Sequence, residues 1–231
     1  MNTEYSSIPK PFQNLRNILL SPWFFAVFMV FIVVCFFFID QPIALYFQSL
    51  DLNETAFWLR WITHLGLGGG YIIGLFLLAL CARYILKNRE WENKLWFLWL
   101  CVIIPSLICV ALKFLMGRSR PTLLFNHDMY GFHGFETSAA YWSFPSGHTT
   151  TIMGLAFGLC IIFPKRTYSF ITAGLIIAVS RVLLTNHFLS DVLIAAYLSF
   201  LEVSIILYWM NKKELWRQDF FRIFCLKKYI N

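Results

Sequence analysis

Long apolar stretches, broken by short clusters of charge, set the rhythm of this chain. Pro22 to Ile39, Leu65 to Ala82 and Leu95 to Leu112 each run 18 residues without a charge. A run of about 18 or more apolar residues is the signature of a membrane-spanning helix. Three later runs, Thr149–Pro164, Thr167–Thr185 and Phe188–Met210, are less pure, because Arg181, Asp191 and Glu202 interrupt the last two. The pattern predicts an all-α integral membrane bundle of six transmembrane helices in a single domain over residues 1–231. The first apolar run is too long for a cleaved signal peptide and lacks a small-x-small exit, so it reads as the first span.

Composition agrees: 59% of the residues are hydrophobic and 13% charged, far from the balance of a soluble domain. The basic residues then orient the bundle. Lys10 and Arg16 precede the first span. Arg83, Lys87, Arg89 and Lys94 sit between the second and third, and Lys165 and Arg166 between the fourth and fifth. Six more, from Lys212 to Lys228, follow the sixth span. Fourteen of the 19 basic residues thus fall on one side, which the positive-inside rule makes cytoplasmic, with both termini there. The net charge of +7 is then a topology signal and calls for no nucleic-acid partner. Trp216, Phe220, Phe221 and Phe224 interleave the basic tail of residues 211–231, which can lie on the membrane surface. The six cysteines have no metal-ligand spacing and read as small apolar packing residues.

The other five basic residues, Arg60, Lys113, Arg118, Arg120 and Arg181, fall on or near the outer side, as do all five histidines, His64, His127, His133, His148 and His187. Several cations gathered at one membrane face invite an anion. Three local patterns sharpen that expectation. Lys113 and Arg120 stand about two helical turns apart, ahead of Pro121. Pro145-Ser146-Gly147-His148 precedes the fourth span, where Gly147 permits close backbone approach and the helix N-terminus favours an anion. Ser146 can cap that helix or donate to a phosphate oxygen, and His148 can give a proton. Ser180-Arg181 leads to His187 and Asp191, spaced i, i+4, so that the carboxylate can bond one ring nitrogen and leave the other free as a nucleophile.

Taken together, Lys113-x6-Arg120-Pro121, Pro145-Ser146-Gly147-His148 and Ser180-Arg181-x5-His187-x3-Asp191 resemble the motifs of the type 2 phosphatidic acid phosphatase superfamily, which includes the vanadium haloperoxidases. Every fixed position of that pattern is matched within residues 113–191. The resemblance implies a double displacement that needs no metal or other cofactor. In it His187 attacks phosphorus, Asp191 orients His187, and His148 protonates the leaving oxygen and then activates water. Lys113, Arg120 and Arg181, with Ser146 and the Gly147 amide, hold the phosphoryl oxygens. The substrate implied is a lipid phosphate or diphosphate in the bilayer, with a polyprenyl diphosphate such as undecaprenyl diphosphate placed first. Lipid A, phosphatidylglycerol phosphate and phosphatidic acid follow. The site would face the extracytoplasmic side of the plasma (inner) membrane, and no protein partner is expected. A phosphotransferase using the same histidine, or an anion transporter, are the alternatives.

Residues outside the motifs carry less. Arg118 reads as an anchor of its helix end. His127, Asp128 and His133 match no familiar metal spacing. Glu202, three helical turns past Asp191, reads as a protonated, hydrogen-bonded packing residue. The aromatic-rich connection from Thr122 to Phe144 suggests a lid or lipid-entry rim, and Asn53-Glu54-Thr55 fits a glycosylation acceptor.

Overall fold

The computed structural model describes residues 9–212, so most of the basic tail (residues 213–231) lies outside the described residues. The chain forms α1 (Lys10–Leu19), α2 (Pro22–Val34), a π-helical turn (Cys35–Ile39), α3 (Asp40–Ser49), α4 (Leu52–Thr55) and α5 (Trp58–His64). It continues as α6 (Gly68–Tyr84), α7 (Arg89–Met116), α8 (Pro121–His127), α9 (Gly147–Ile162), α10 (Thr167–Leu183) and α11 (Leu189–Lys212). No strand occurs among the described residues. The helix ends follow local chemistry. Ser21 accepts from the Phe24 amide at 3.2 Å with Pro22 as the first helical residue of α2, and Asn88 accepts from the Trp91 amide at 3.1 Å to start α7. Gly117, at φ +54°, ends α7 in the left-handed region. A Cβ there would lie 1.8 Å from the Gly134 carbonyl oxygen, so only glycine fits this turn.

Four helical segments are long and apolar enough to cross a membrane: Pro22–Ser49, Arg89–Met116, Pro164–Leu183 and Leu189–Met210. A fifth is made by α5 and α6 together, bent by 44° at their junction. Many of the side chains on their outer surfaces are apolar, including Trp23, Phe37, Phe38, Ile73 and Tyr168, as lipid contact requires. The expected fourth span differs. Its helix, α9, has 16 residues, about 24 Å at 1.5 Å per residue, and is shorter than a self-sufficient span. The reason is position: twelve of its residues are buried, because α9 runs through the middle of the bundle against α7, α10 and α11. It still reaches the far end, where Phe163 beyond its last turn meets Trp91 in the first turn of α7 at 6.4 Å between centroids.

Small residues make that central position possible. Pro105 inside α7 has no amide hydrogen, which leaves the Cys101 carbonyl without its helical donor. Gly154 of α9 closes on that carbonyl so tightly that a Cβ would sit 2.3 Å from the oxygen. Gly158 packs on Leu98 and Cys101, and Gly174 of α10 on Met153. Around this seam lie Phe97, Val102, Met153, Phe157, Phe200 and Val203, all buried. Phe12 of α1 joins them against Phe200 at 5.8 Å. The bundle's two ends differ in kind. The α6–α7 connection carries Arg83, Lys87 and Arg89, and α1 packs on the Pro164–Arg166 turn. At the opposite end, the chain from Gly117 to Gly147 and the turn from Leu184 to Phe188 converge.

Because the neighbour at Gly154 is backbone, Gly154→Ala must push α7 and α9 apart. It is expected to cost about 1–3 kcal/mol and lower the melting temperature in detergent. Gly74→Ala, with nothing within 4 Å of the added methyl, should leave that temperature unchanged or raise it. Thermal unfolding of the two variants side by side checks the pair.

Candidate active site

All three motifs end at the same pole of the bundle. Lys113, in the last turn of α7, is buried and donates to the Trp142 carbonyl at 2.6 Å. Its Cε lies 3.7 Å from where a Gly147 Cβ would stand, so the first and second motifs touch where a side chain is missing. Arg120 initiates α8, with Pro121 as the first helical residue, and its Nε has no hydrogen-bond partner. Ser146 occupies the N-cap of α9 without making the capping bond. Its Oγ accepts from Thr149 Oγ1 at 3.0 Å, which leaves its own hydroxyl hydrogen free to donate elsewhere. The ring of His148 rests on Gly66 in the α5–α6 turn, where a Cβ would come within 2.9 Å of the His148 Cβ. Arg181, at the end of α10, donates from Nη1 to Thr63 of α5 at 2.6 Å, and its Nε is unpartnered. The Nε groups of Arg120 and Arg181, like that of Arg118, are without partners, and beside a buried lysine such donors can take an anion.

His187 lies in the turn between α10 and α11, 3% exposed. Its backbone amide donates to the Arg181 carbonyl, and Thr185 at φ +52° makes the tight reversal. The ring is not held as the i, i+4 spacing suggests. Nδ1 stands 2.7 Å from the Ser143 carbonyl oxygen and 3.9 Å from Asp191 Oδ2. A carbonyl only accepts, so Nδ1 carries the hydrogen and Nε2 keeps its lone pair. Asp191 acts one bond further out. Its Oδ2 accepts from Ser143 Oγ at 2.6 Å and from the Phe188 amide at 2.9 Å, fixing both the loop that supplies the carbonyl and the turn that carries the ring. Burial above all, with Lys113 and Arg181 adding to it, holds the His187 pKa down to about 3, so the ring is neutral at ordinary pH.

Arg118 corrects the sequence reading most. It does not anchor a helix end in the interface but is 1% exposed, enclosed by Phe36, Tyr130, Phe132 and Phe188 at 4.8–5.4 Å from its guanidinium carbon. Its Nη1 donates to Asp191 Oδ1 and, at 2.7 Å, to Ser190 Oγ. Its Nη2 donates to Asp40 Oδ2 at 2.8 Å and to the Tyr130 hydroxyl at 2.9 Å. Burial opposes the charge, but Asp191 and Asp40 outweigh it and raise the pKa further. Burial lowers that of Arg120.

Asp40, Thr63, Tyr130 and Ser143 were missed by motif reasoning. Only Asp40 had a signal, a lone carboxylate closing an 18-residue apolar run. The Thr122–Phe144 connection is more ordered than a loop. Pro121–His127 is helical, and backbone bonds such as His133 N to Gly117 O at 3.0 Å and Ser143 N to Arg118 O at 3.0 Å lace it to the end of α7. The ring of His133 stacks edge-on against Tyr141. Glu202 is not brought to the site. It lines an apolar groove between α7 and α11, about 16 Å along α11 from Asp191, and its Oε2 has no hydrogen-bond partner.

Comparison with known proteins bears on this cluster. The PAP2 superfamily profile matches residues 94–215, which include all three motifs. A lipid A 1-phosphatase of Rhizobium etli is 33% identical over 97 residues, covering 42% of this chain and 42% of the relative. A lipid A 1-phosphatase of Rhizobium johnstonii is 32% identical over 97 residues, covering 42% of this chain and 40% of the relative. The chain thus aligns with about two fifths of the length of these relatives. No solved structure matches. With its family match spanning more than half of its length and the three motifs meeting at one pole of an apolar helical bundle, the chain belongs to the PAP2 superfamily.

Proposed function

We propose that the protein is a membrane lipid phosphatase that works through a phosphohistidine on His187. The observation that carries the reading is a neutral imidazole whose Nδ1 is tied to the Ser143 carbonyl, at the same bundle pole as Lys113, Arg120, Arg181 and His148. Nε2 attacks phosphorus, and the bond from phosphorus to the lipid oxygen breaks. His148 gives its proton to that oxygen as it leaves. Lys113, Arg120, Arg181, the Ser146 hydroxyl and the Gly147 amide hold the equatorial oxygens, where positioning and charge stabilisation supply most of the catalysis. In the second step water attacks the phosphohistidine while His148 takes its proton. The phosphorus–nitrogen bond breaks and inorganic phosphate departs. No metal takes part in either step.

Topology follows the same reading. Counting α9 as a crossing gives six spans, with both termini on the side of Arg83, Lys87, Arg89, Lys165 and Arg166. Positive-inside orientation then makes the active pole extracytoplasmic, in the plasma (inner) membrane of its cell. The relatives' names put a lipid A phosphate first among substrates to test, ahead of a polyprenyl diphosphate, phosphatidylglycerol phosphate and phosphatidic acid.

Purified protein in detergent, with chelator present, is expected to release phosphate from one of these lipids. His187→Ala should fall to the background rate, and Arg181→Ala should lose about 100-fold in kcat/KM. Release that stops with chelator, or that persists in His187→Ala, would refute the mechanism. A pH dependence is also expected. Because His187 stays unprotonated down to about pH 3, its phosphorylation by a substrate whose leaving group needs no proton should show no acid limb between about pH 5 and 7 other than that of the substrate phosphate, which ionises near about pH 6. Rapid-quench measurement of the first turnover, set against the substrate's own titration, checks this: a further acid limb near about pH 6.5 would contradict the neutral, buried ring.

A further inference from the structure

Asp40 belongs to none of the three motifs and comes from the other end of the sequence, yet it is fully buried against the catalytic turn. A π-helical turn over Cys35–Ile39 inserts one extra residue into the first membrane helix just before it. The Phe36 carbonyl in that turn accepts from Tyr130 Oη at 2.6 Å. Asp40 Oδ1 accepts from the Ser190 amide at 3.0 Å at the start of α11. Oδ2 accepts from Arg118 Nη2 and from Ser190 Oγ. Arg118 Nη1 passes to Asp191, Asp191 Oδ2 holds Ser143 Oγ, and the Ser143 carbonyl holds His187 Nδ1. Every side chain from Asp40 to His187 along this path is 3% exposed or less.

The charges along the path do not balance. Two carboxylates face one guanidinium, which leaves a surplus of one negative charge sealed from solvent. A purely structural ion pair needs one carboxylate, and a second buried one is costly unless something compensates it. Lys113 and Arg120 also feel Asp191, but with Arg181 they are the cations that an incoming phosphate would neutralise. The group left to balance the surplus is the imidazole ring, which becomes cationic once Nε2 bonds to phosphorus.

We infer that Asp40 is a positioning residue for His187, and that the Asp40–Arg118–Asp191 cluster holds a negative charge in reserve for the cation formed on the ring. The inference rests on the phosphohistidine reading. Asp40 touches neither substrate nor the reacting atoms. It acts through Arg118 and Ser190 on the geometry and field around the ring.

Asp40→Asn in the full-length protein keeps the shape and an acceptor for the Ser190 amide but removes the charge. Expected are a fall of about tenfold in kcat per phosphorylatable site, KM within about twofold of wild type, and less phosphoenzyme at steady state in a quench that preserves phosphohistidine. A merely structural role would lower the folded fraction or the melting temperature and leave kcat per site unchanged, and that result would overturn the inference. If Asp40→Asn does not fold, Tyr130→Phe removes only the hydroxyl that accepts from Arg118 Nη2 and donates to the Phe36 carbonyl in the turn before Asp40. A loss of about threefold in kcat at constant KM supports the inference, and an unchanged kcat overturns it. A wild-type protein that hydrolyses no lipid phosphate and forms no phosphoenzyme would overturn both this inference and the phosphatase reading, whereas active wild type with an unaffected variant overturns this inference alone.

Discussion

A guanidinium buried between two carboxylates holds the motif-bearing pole together. Arg118 has only aromatic faces, two acids, a serine and a tyrosine hydroxyl for company. Taking such a charge out of water costs several kcal/mol, which only close, well-directed partners offset. Those partners come from three distant parts of the chain. Asp40 lies in the first membrane helix, Tyr130 in the long connection, and Ser190 and Asp191 at the start of α11. Satisfying Arg118 therefore requires all three to arrive together. Its own place depends on Gly117, which turns the chain out of α7 where no side chain could fit.

From that cluster the order spreads in two directions. Towards the substrate side, Asp191 fixes the Ser143 loop and the Phe188 turn, and these fix the His187 ring by its Nδ1. A histidine held by a carbonyl and shielded from water is neutral and aimed, the state a nucleophile needs. Towards the membrane, α9 and α11 descend from the pole into the apolar core. There Gly154, Gly158 and Gly174 let helices approach to backbone contact. In lipid there is little hydrophobic drive between helices, so this close packing, aided by hydrogen bonds such as Trp99 Nε1 to the Ile72 carbonyl, holds the bundle. A rigid base of this kind suits phosphoryl transfer, where small misplacements are costly.

The arrangement also separates two sets of charge that sit close in space. Arg120 and Arg181 each keep an Nε without a protein partner, the kind of donor that suits an anion. Arg118, two residues before Arg120, also leaves its Nε without a partner, but both of its terminal nitrogens are engaged by the protein. Neighbouring arginines of one short stretch thus differ in setting: Arg118 is sealed among protein partners while Arg120 is only partly buried.

The sequence by itself determined the helical class, the membrane character and the cast of the candidate site. Apolar run length follows from bilayer thickness, and the three motifs are local strings that can be read without knowing how they meet. Gly147 was legible for the same reason, as part of the Pro145-Ser146-Gly147-His148 string. Tertiary structure alone decided how the site is held. The i, i+4 spacing of His187 and Asp191 suggested a direct bond, but the Ser143 carbonyl, 44 residues away in sequence, takes that place and moves Asp191 one step back. Arg118 read as an anchor, because nothing local distinguishes a snorkelling arginine from one whose carboxylates come from residues 40 and 191. The 16-residue run Thr149–Pro164 already showed that α9 is short, but its enclosure by α7, α10 and α11 became visible only in the folded bundle. Contacts between segments 44 to 150 residues apart leave no periodicity to read, which is why Asp40 became legible only once the chain had folded around it.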